Sequence, residues 1–334
     1  MTHGIQANHA SLVTVVVITF NSRHFTERCF EALLAQSFTK FEVIVVDNAS
    51  RDGGPQLPQD SRFRLISLGR NVGFAAANNL AASKALSPWL ATLNPDAFPA
   101  TDWIERLLEG ASRAPQIAMV GSLQVCSEDE NRLDGVGDCY SPLGVAWRGL
   151  YGRPLREAPP TGEVFGPCAA AALYRLDAFR GVGGFDEDYF CYHEDVDLAF
   201  RLRLRGHRCI QCMEARVVHV GSGIAGKNSD FAVYHGTRNR VWTFVKCMPL
   251  PLLILLGPLH IAANLYLLVG SLRAQLGGPV LRGLRDSVLG LTRMWRKRNA
   301  VHQAGRLSPL RIAFSFTWSM RAFRRMDHDV RVWR

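Results

Sequence analysis

The segment Glu194-Asp195-Val196-Asp197-Leu198 sets three carboxylates within four positions, behind the aromatic run Tyr189-Phe190-Cys191-Tyr192-His193 and ahead of the basic stretch Arg201-Leu202-Arg203-Leu204-Arg205. Carboxylates beside apolar and aromatic groups lose solvation, which raises their pKa and tunes them as general bases. A second acidic point, Asp96, closes Leu93-Asn94-Pro95-Asp96 after an apolar run. One acidic site at a strand end and another opening a helix would serve a metal-assisted transfer reaction. Paired acids also cap helix N-termini, where they complement the dipole. The run by itself supports both readings.

The elements that must hold these residues are legible in the hydropathy. Val13-Thr14-Val15-Val16-Val17-Ile18-Thr19-Phe20 is a continuous β-branched run, the signature of a central parallel strand buried on both faces. A helical pattern follows to about Gln36, and Phe41-Glu42-Val43-Ile44-Val45-Val46-Asp47 reads as a second strand. Residues 62–68 read as a third strand, the alanine-rich residues 73–86 as a helix, and residues 89–93 as a fourth strand. Helix alternating with strand implies right-handed βαβ units, hence an α/β fold with a Rossmann-like, mostly parallel sheet flanked by helices. Ligands of such sheets bind beyond the carboxyl ends of the strands. Thr19-Phe20-Asn21, Asp47-Asn48 and Asn94-Pro95-Asp96 all fall there. Each is also ordinary turn chemistry, but polar clusters at successive strand ends point to one shared cleft. The glycine-punctuated stretch 121–166 is expected to cover that cleft.

The net charge of +10 is not evenly spread. Residues 271–334 hold 14 Lys/Arg against 3 Asp/Glu, and residues 1–270 hold 25 against 26. The basic part follows directly on residues 249–270, an uncharged apolar stretch long enough to span a bilayer but interrupted by Pro251, Pro258, His260 and Asn264. The expected anionic partner is therefore a membrane surface and not nucleic acid. Leu281, Leu284, Val288, Leu291 and Trp295 recur at helical spacing with arginines off the stripe. This predicts one amphipathic, cationic helix lying on a membrane, with packing on the protein's own core as the competing reading. Positive residues flank both ends of the apolar stretch, so both ends favour the cytoplasmic side and the stretch is expected to lie in plane or re-enter. No secretory signal is apparent at the N-terminus. Cys209 and Cys212 form a CxxC better read as two thiols on a buried strand than as a zinc site.

Taken together, Val15-Val16-Val17-Ile18-Thr19-Phe20-Asn21, Val45-Val46-Asp47-Asn48-Ala49-Ser50, Asn71-Val72-Gly73-Phe74, Leu93-Asn94-Pro95-Asp96 and Gly183-Gly184-Phe185-Asp186-Glu187 running into Glu194-Asp195 resemble the family 2 glycosyltransferases of GT-A fold, in particular the bacterial rhamnosyltransferase branch. His219 and the Arg238-Asn239 pair also fit. The resemblance covers roughly residues 12–245, with a nucleotide-binding half at 12–115 and an acceptor half at 116–245. Residues 1–11 would be a tail, and 246–334 a membrane-associated basic helical region. It implies that Thr19, Phe20, Asn21, Asp47, Asn48, Asn71, Gly73 and Asn94 hold a nucleotide-sugar donor, with the Asp47 carboxylate accepting from the pyrimidine N–H. Asp96 stands at the metal-binding position, although Ala97 replaces the usual second acid; His219 would complete the coordination of Mg²⁺ or Mn²⁺. Asp195, with Glu194 second, would be the base of an inverting displacement, and Asp197 would pair with Arg201. The implied acceptor is a lipid-linked glycan of cell-surface polysaccharide assembly at the cytoplasmic face of the inner membrane. The implied donor is dTDP-rhamnose, with UDP-sugars next. Absence of a glycine-rich basic loop or GxGxxG after the first strand disfavours a nucleotidyltransferase or a dinucleotide-dependent oxidoreductase.

Overall fold

All of the first β-branched run but its last residue, Phe20, is buried as β1 (Val13–Thr19) in the computed structural model, which describes residues 11–221 and 229–333. Of the expected tail, only Ser11 lies among the described residues. The chain continues through α1 (Arg23–Leu34), β2 (Phe41–Asp47), β3 (Phe63–Ser67), α2 (Gly73–Lys84) and β4 (Trp89–Leu93). These match the predicted elements to within two residues at each end. Ala75, Ala77, Ala81 and Ala82 are buried on α2, so small side chains let that helix lie close against the sheet.

Next come β5 (Ala97–Pro99), α3 (Trp103–Ser112) and the long β6 (Ile117–Cys126), then the short β7 (Leu133–Gly135), β8 (Asp138–Tyr140), β9 (Ala146–Arg148) and β10 (Gly162–Glu163). β11 (Ala171–Arg175), α4 (Leu176–Gly181), α5 (Glu194–Leu204) and β12 (Arg208–His219) complete the sheet-bearing part. The strand order is β10-β12-β6-β11-β4-β1-β2-β3. β1, β2, β3 and β4 are parallel, as expected. The other half is mixed: β11 runs antiparallel to both β4 and β6, while β12 runs parallel to β6. A core lies on each face, one built on α1 and α3, the other on α2, α5 and the aromatic group Tyr140, Phe165, Phe200 and Phe316.

The C-terminal part is helical: α6 (Asp230–Cys247), α7 (Leu250–Arg273), α8 (Gly277–Leu289), α9 (Leu291–Gln303), α10 (Pro309–Ala313) and α11 (Met320–Arg325). Among the described residues α7 is the one helix long and apolar enough to cross a membrane. It lies along the protein through Leu256, His260 and Asn264. The His260 ring stacks on Phe244 at 4.0 Å and its Nδ1 is 2.8 Å from the Leu143 carbonyl, while Arg240 donates to Asn264 at 2.7 Å. Two of the polar residues that interrupt the apolar stretch are thus its docking seam. The opposite face leaves Ile254, Leu255, Ile261 and Tyr266 at least 62% exposed.

The single amphipathic helix expected around residues 281–295 is two helices. Gly290 separates α8 from α9, and a side chain there would overlap the Trp242 ring. The stripe does not pack on the core either. Leu281, Val288 and Trp295 are exposed, Leu284 and Leu291 are only half-buried, and the buried positions include Val280, Gly283, Ser287, Met294 and Arg298. The expected boundary at 245/246 falls inside α6.

Candidate active site

β1 and β2 deliver Thr19 and Asp47 as register partners at their carboxyl ends. The Thr19 hydroxyl donates to Asp47 Oδ1 at 3.0 Å, and the Ser50 N–H donates to Oδ2 at 3.3 Å. Half-buried Phe20 and exposed Asn21 follow, and Asn21 takes a left-handed turn whose side-chain oxygen accepts from the Arg51 N–H at 2.8 Å. Asn48 is buried and ties the next loop: its amide donates to Asn71 Oδ1 at 2.8 Å, and its oxygen accepts from the Val72 N–H. Gly73 has φ +87°, and a Cβ on it would lie 2.6 Å from the Phe190 carbonyl oxygen. Its missing side chain makes room for the aromatic run ahead of Asp195.

Asn94 follows directly on β4, and its N–H donates to the Ala170 carbonyl at 2.8 Å. Two residues on, Asp96 is 3% exposed. Asp96 Oδ1 lies 3.4 Å from His219 Nε2, and neither atom has a hydrogen-bond partner. The other imidazole nitrogen, Nδ1, is 2.7 Å from Asp134 Oδ2, and Arg148 binds that same carboxylate at 2.5 Å. Burial alone would lower the His219 pKa; the carboxylates at its two nitrogens reverse this and raise it. Ala97, fully buried, is the cross-strand partner of His219, so the position lacking an acid lies beside the imidazole.

α5 opens with the acidic run. Asp195 is half-buried and accepts from the Ala169 N–H at 3.3 Å and from its neighbour Val196 at 2.8 Å. Burial raises its pKa, and those two N–H groups restrain the rise. Glu194 is pushed well above the usual range, first by burial and then by Asp195, and its Oε2 has no partner. Buried Asp138 is raised in the same way. Asp197 is elsewhere, as expected: it pairs with Arg201 at 2.7 Å and with Lys246 at 2.7 Å, fully buried. Lys246 also holds Asp186 at 2.5 Å, and α9 adds Lys297 to Asp186 and Asp188.

Two corners therefore form one network. Asp96 and His219 connect through Asp134 to Arg148, whose charge is felt by Asp138 and Asp195. The Tyr192 phenol, pushed up to about 12 chiefly by burial, senses Cys191, Glu194, Arg148 and Asp96 together. Asp47 sits two strands along the same sheet edge from β4, roughly 10 Å by strand spacing.

Residues 14–183 match the model of the family described as "Glycosyl transferase family 2". The chain belongs to glycosyl transferase family 2. The chain is 29% identical over 254 residues to an N-acetylglucosaminyl-diphospho-decaprenol L-rhamnosyltransferase of Mycobacterium tuberculosis, covering 67% of this chain and 81% of that one. In fold it is similar to a mannosyltransferase of Pyrobaculum calidifontis solved with GDP-Man and Mn²⁺, with a TM-score of 0.54 and 20% identity over 89% of this chain and 86% of that one. It is also similar to GalNAc-T7 solved with UDP, GalNAc and Mn²⁺, with a TM-score of 0.55 and 14% identity over 70% and 50%.

For a family 2 glycosyltransferase of GT-A fold, the Asp96–His219 corner fits a divalent cation by its donor chemistry. Two buried lone-pair donors face one another without a hydrogen bond between them. The field that raises the His219 pKa favours a cation as well as a proton. Among the described residues no cluster of three or more His, Cys, Asp or Glu is arranged for a metal, Cys209 and Cys212 included. Remaining ligands at Asp96 and His219 would be diphosphate oxygens and water. Sequence reasoning missed Asp134, Asp138 and Arg148. They come from β7, β8 and β9, in the stretch expected only to cover the cleft. The one available signal was their charge amid glycines: a Cβ on Gly135 would lie 2.3 Å from the Arg148 side chain.

Proposed function

We propose that this family 2 glycosyltransferase inverts the anomeric centre of a nucleotide sugar. It moves the sugar, with rhamnose from dTDP-rhamnose as the leading donor, to a hydroxyl of a lipid-linked glycan in cell-surface polysaccharide assembly. The observation that carries the reading is the split between the two neighbouring acids. Glu194 is buried with its Oε2 unpartnered and its pKa pushed well above the usual range, whereas Asp195 is half-buried with two N–H donors that restrain its rise and favour its carboxylate. The carboxyl whose ionised form is hydrogen-bonded is the better placed of the two to act as the base.

Asp47, with Thr19 donating to it, accepts the pyrimidine N–H; Asn21, Asn48, Asn71 and Asn94 shape the rest of the donor edge, with Phe20 and Gly73 beside them. Asp96 and His219 would hold Mg²⁺ or Mn²⁺, which supplies charge neutralisation to a diphosphate leaving group. Asp195 takes the proton of the acceptor hydroxyl as it attacks, and the C–O bond to the diphosphate breaks on the opposite face.

The acceptor class is supported by the mycobacterial relative, whose name specifies an N-acetylglucosaminyl-diphospho-decaprenol substrate. It is also supported by the exposed apolar face of α7, α8 and α9 beside a strongly basic C-terminal segment. An in-plane position on the cytoplasmic face accommodates α7, because its polar seam is buried against the catalytic part. The test is turnover of dTDP-rhamnose, with UDP-sugars as comparison, on a synthetic N-acetylglucosaminyl-diphospho-polyprenol. Asp195→Asn should lose transfer by 10²-fold or more, the scale of general-base catalysis, while dTDP binding survives. Near-normal turnover by that variant removes Asp195 from the role.

A further inference from the structure

Three of the four residues that precede Glu194 adopt a backbone that L-residues resist. Phe190 has φ 64° and ψ −61°, and the Cys191 N–H donates to the Tyr189 carbonyl at 2.7 Å across it. That is a γ-turn of the rare, strained hand. Tyr192 at φ 67° and His193 at φ 66° are left-handed too. None of the three is glycine, so the segment does not hold this shape by its own preference.

One buried side chain satisfies it. Asn239, on α6, has no exposed surface, and its amide shares its two hydrogens among the carbonyls of Tyr189 at 3.0 Å, Cys191 at 3.0 Å and Tyr192 at 2.7 Å. Arg238 fixes the direction of that amide. Its Nε donates to Asn239 Oδ1 at 2.9 Å, while Nη2 donates to the carbonyls of Asp188 at 3.1 Å and Tyr189 at 3.0 Å. On the other side the Ala75 N–H donates to the Phe190 carbonyl at 3.3 Å, in the space that Gly73 leaves open. The turn is therefore clamped between α6 and the start of α2, and α5 begins immediately after it.

We infer that Asn239, oriented by Arg238, is a positioning residue for the reaction: it holds the 189–193 turn in the shape that aims Asp195 at the acceptor hydroxyl. The inference rests on the reading of Asp195 as the base. Asn239 is fully buried, and its amide acts through main-chain carbonyls. Its loss should therefore lower kcat and leave donor affinity alone.

The experiment compares Asn239→Ala, Asp195→Asn and the double variant Asn239→Ala/His193→Gly in the full-length protein. Transfer is measured from dTDP-rhamnose, dTDP affinity by calorimetry, and folded fraction by circular dichroism. Asn239→Ala is expected to lower kcat about 30-fold per folded molecule, with the dTDP Kd within threefold of the parent. Glycine at 193 removes part of the conformational cost that Asn239 offsets, so the double variant should recover at least fivefold of the loss. Should Asn239→Ala be too unstable to purify, Arg238→Lys keeps the charge but loses the fork, and is expected to show a smaller loss, about fivefold, confined to kcat. A kcat within threefold of the parent for Asn239→Ala, with Asp195→Asn inactive, overturns the inference and leaves the base intact. So does a loss explained wholly by the folded fraction, or one that glycine at 193 does not relieve. Turnover by Asp195→Asn would instead strike the base assignment itself.

Discussion

Replacing Asp134 isolates the link between the Asp96–His219 corner, proposed above to hold the cation, and the residues that only the fold supplies. Asp134 accepts from His219 Nδ1 at 2.7 Å, both side chains are 4% exposed, and the opposite nitrogen faces Asp96 at 3.4 Å. A carboxylate behind a metal-binding imidazole fixes its ring and raises its basicity, and losing it typically weakens metal affinity 10–100-fold. At about 1.36 kcal/mol per decade this is roughly 1.4–2.7 kcal/mol. Asp134→Ala should fall at the strong end, because the imidazole loses its orienting acceptor inside a buried site. Asp134→Asn retains an acceptor without the charge, and a neutral hydrogen bond has about half the strength of a charge-assisted one. It should therefore fall near the weak end, about tenfold. The assay is Mn²⁺ titration by calorimetry with saturating dTDP, so that affinity is read without turnover. Arg148 also loses its carboxylate, so a thermal melt must accompany each titration. Mn²⁺ affinity within twofold of the parent in a folded Asp134→Ala protein would refute the argument.

Burial pushes the folded pKa of Glu194 well above the ordinary value of about 4.3. The stability this contributes is present below that value and is lost as pH rises through the folded pKa. Glu194→Gln should accordingly raise the melting temperature by a few degrees at pH 8, with a gap that closes toward pH 4; a pH-independent difference would contradict it. Lys246 is 1% exposed between Asp186 and Asp197. Because Lys297 and Arg201 still serve those acids, Lys246→Met should cost about 2–4 kcal/mol by urea unfolding, at or below the usual cost of breaking a buried pair. A loss under 0.5 kcal/mol would show the network to be redundant. Replacing Leu255, Ile261, Val288 and Trp295 together by serine should abolish co-sedimentation with vesicles of phosphatidylglycerol and phosphatidylcholine, since each large apolar group is worth roughly 1.5–3 kcal/mol when buried. Unchanged sedimentation would rule out this face as the lipid contact.

What the sequence determined by itself is local and periodic. The β-branched runs could be satisfied only inside a sheet, which dictated β1 and β2; with the apolar run of β4 they delivered Thr19, Asp47 and Asp96 to one edge. The aromatic run ahead of Glu194 and Asp195 foretold their desolvation, and Asp197 was four residues from the arginine it pairs with, one helical turn away. Tertiary structure decided what no spacing encodes. Asp134 and Arg148 lie on three-residue strands among glycines, too short to show a period, and they reach His219 and Asp195 only because β7 pairs with β6, β9 pairs with β8, and Arg148 bridges to Asp134. Asn239 meets Tyr189, Cys191 and Tyr192 across almost fifty residues of chain. The apolar periodicity of residues 281–295 was real in the sequence, but a periodic stripe does not specify which way it faces. Gly290 packing on Trp242 split the helix, and Gly283, Ser287 and Met294 turned inward while Leu281, Val288 and Trp295 faced out. Side-chain chemistry can be read in order along a chain, whereas which distant groups satisfy one another follows from how the layers close.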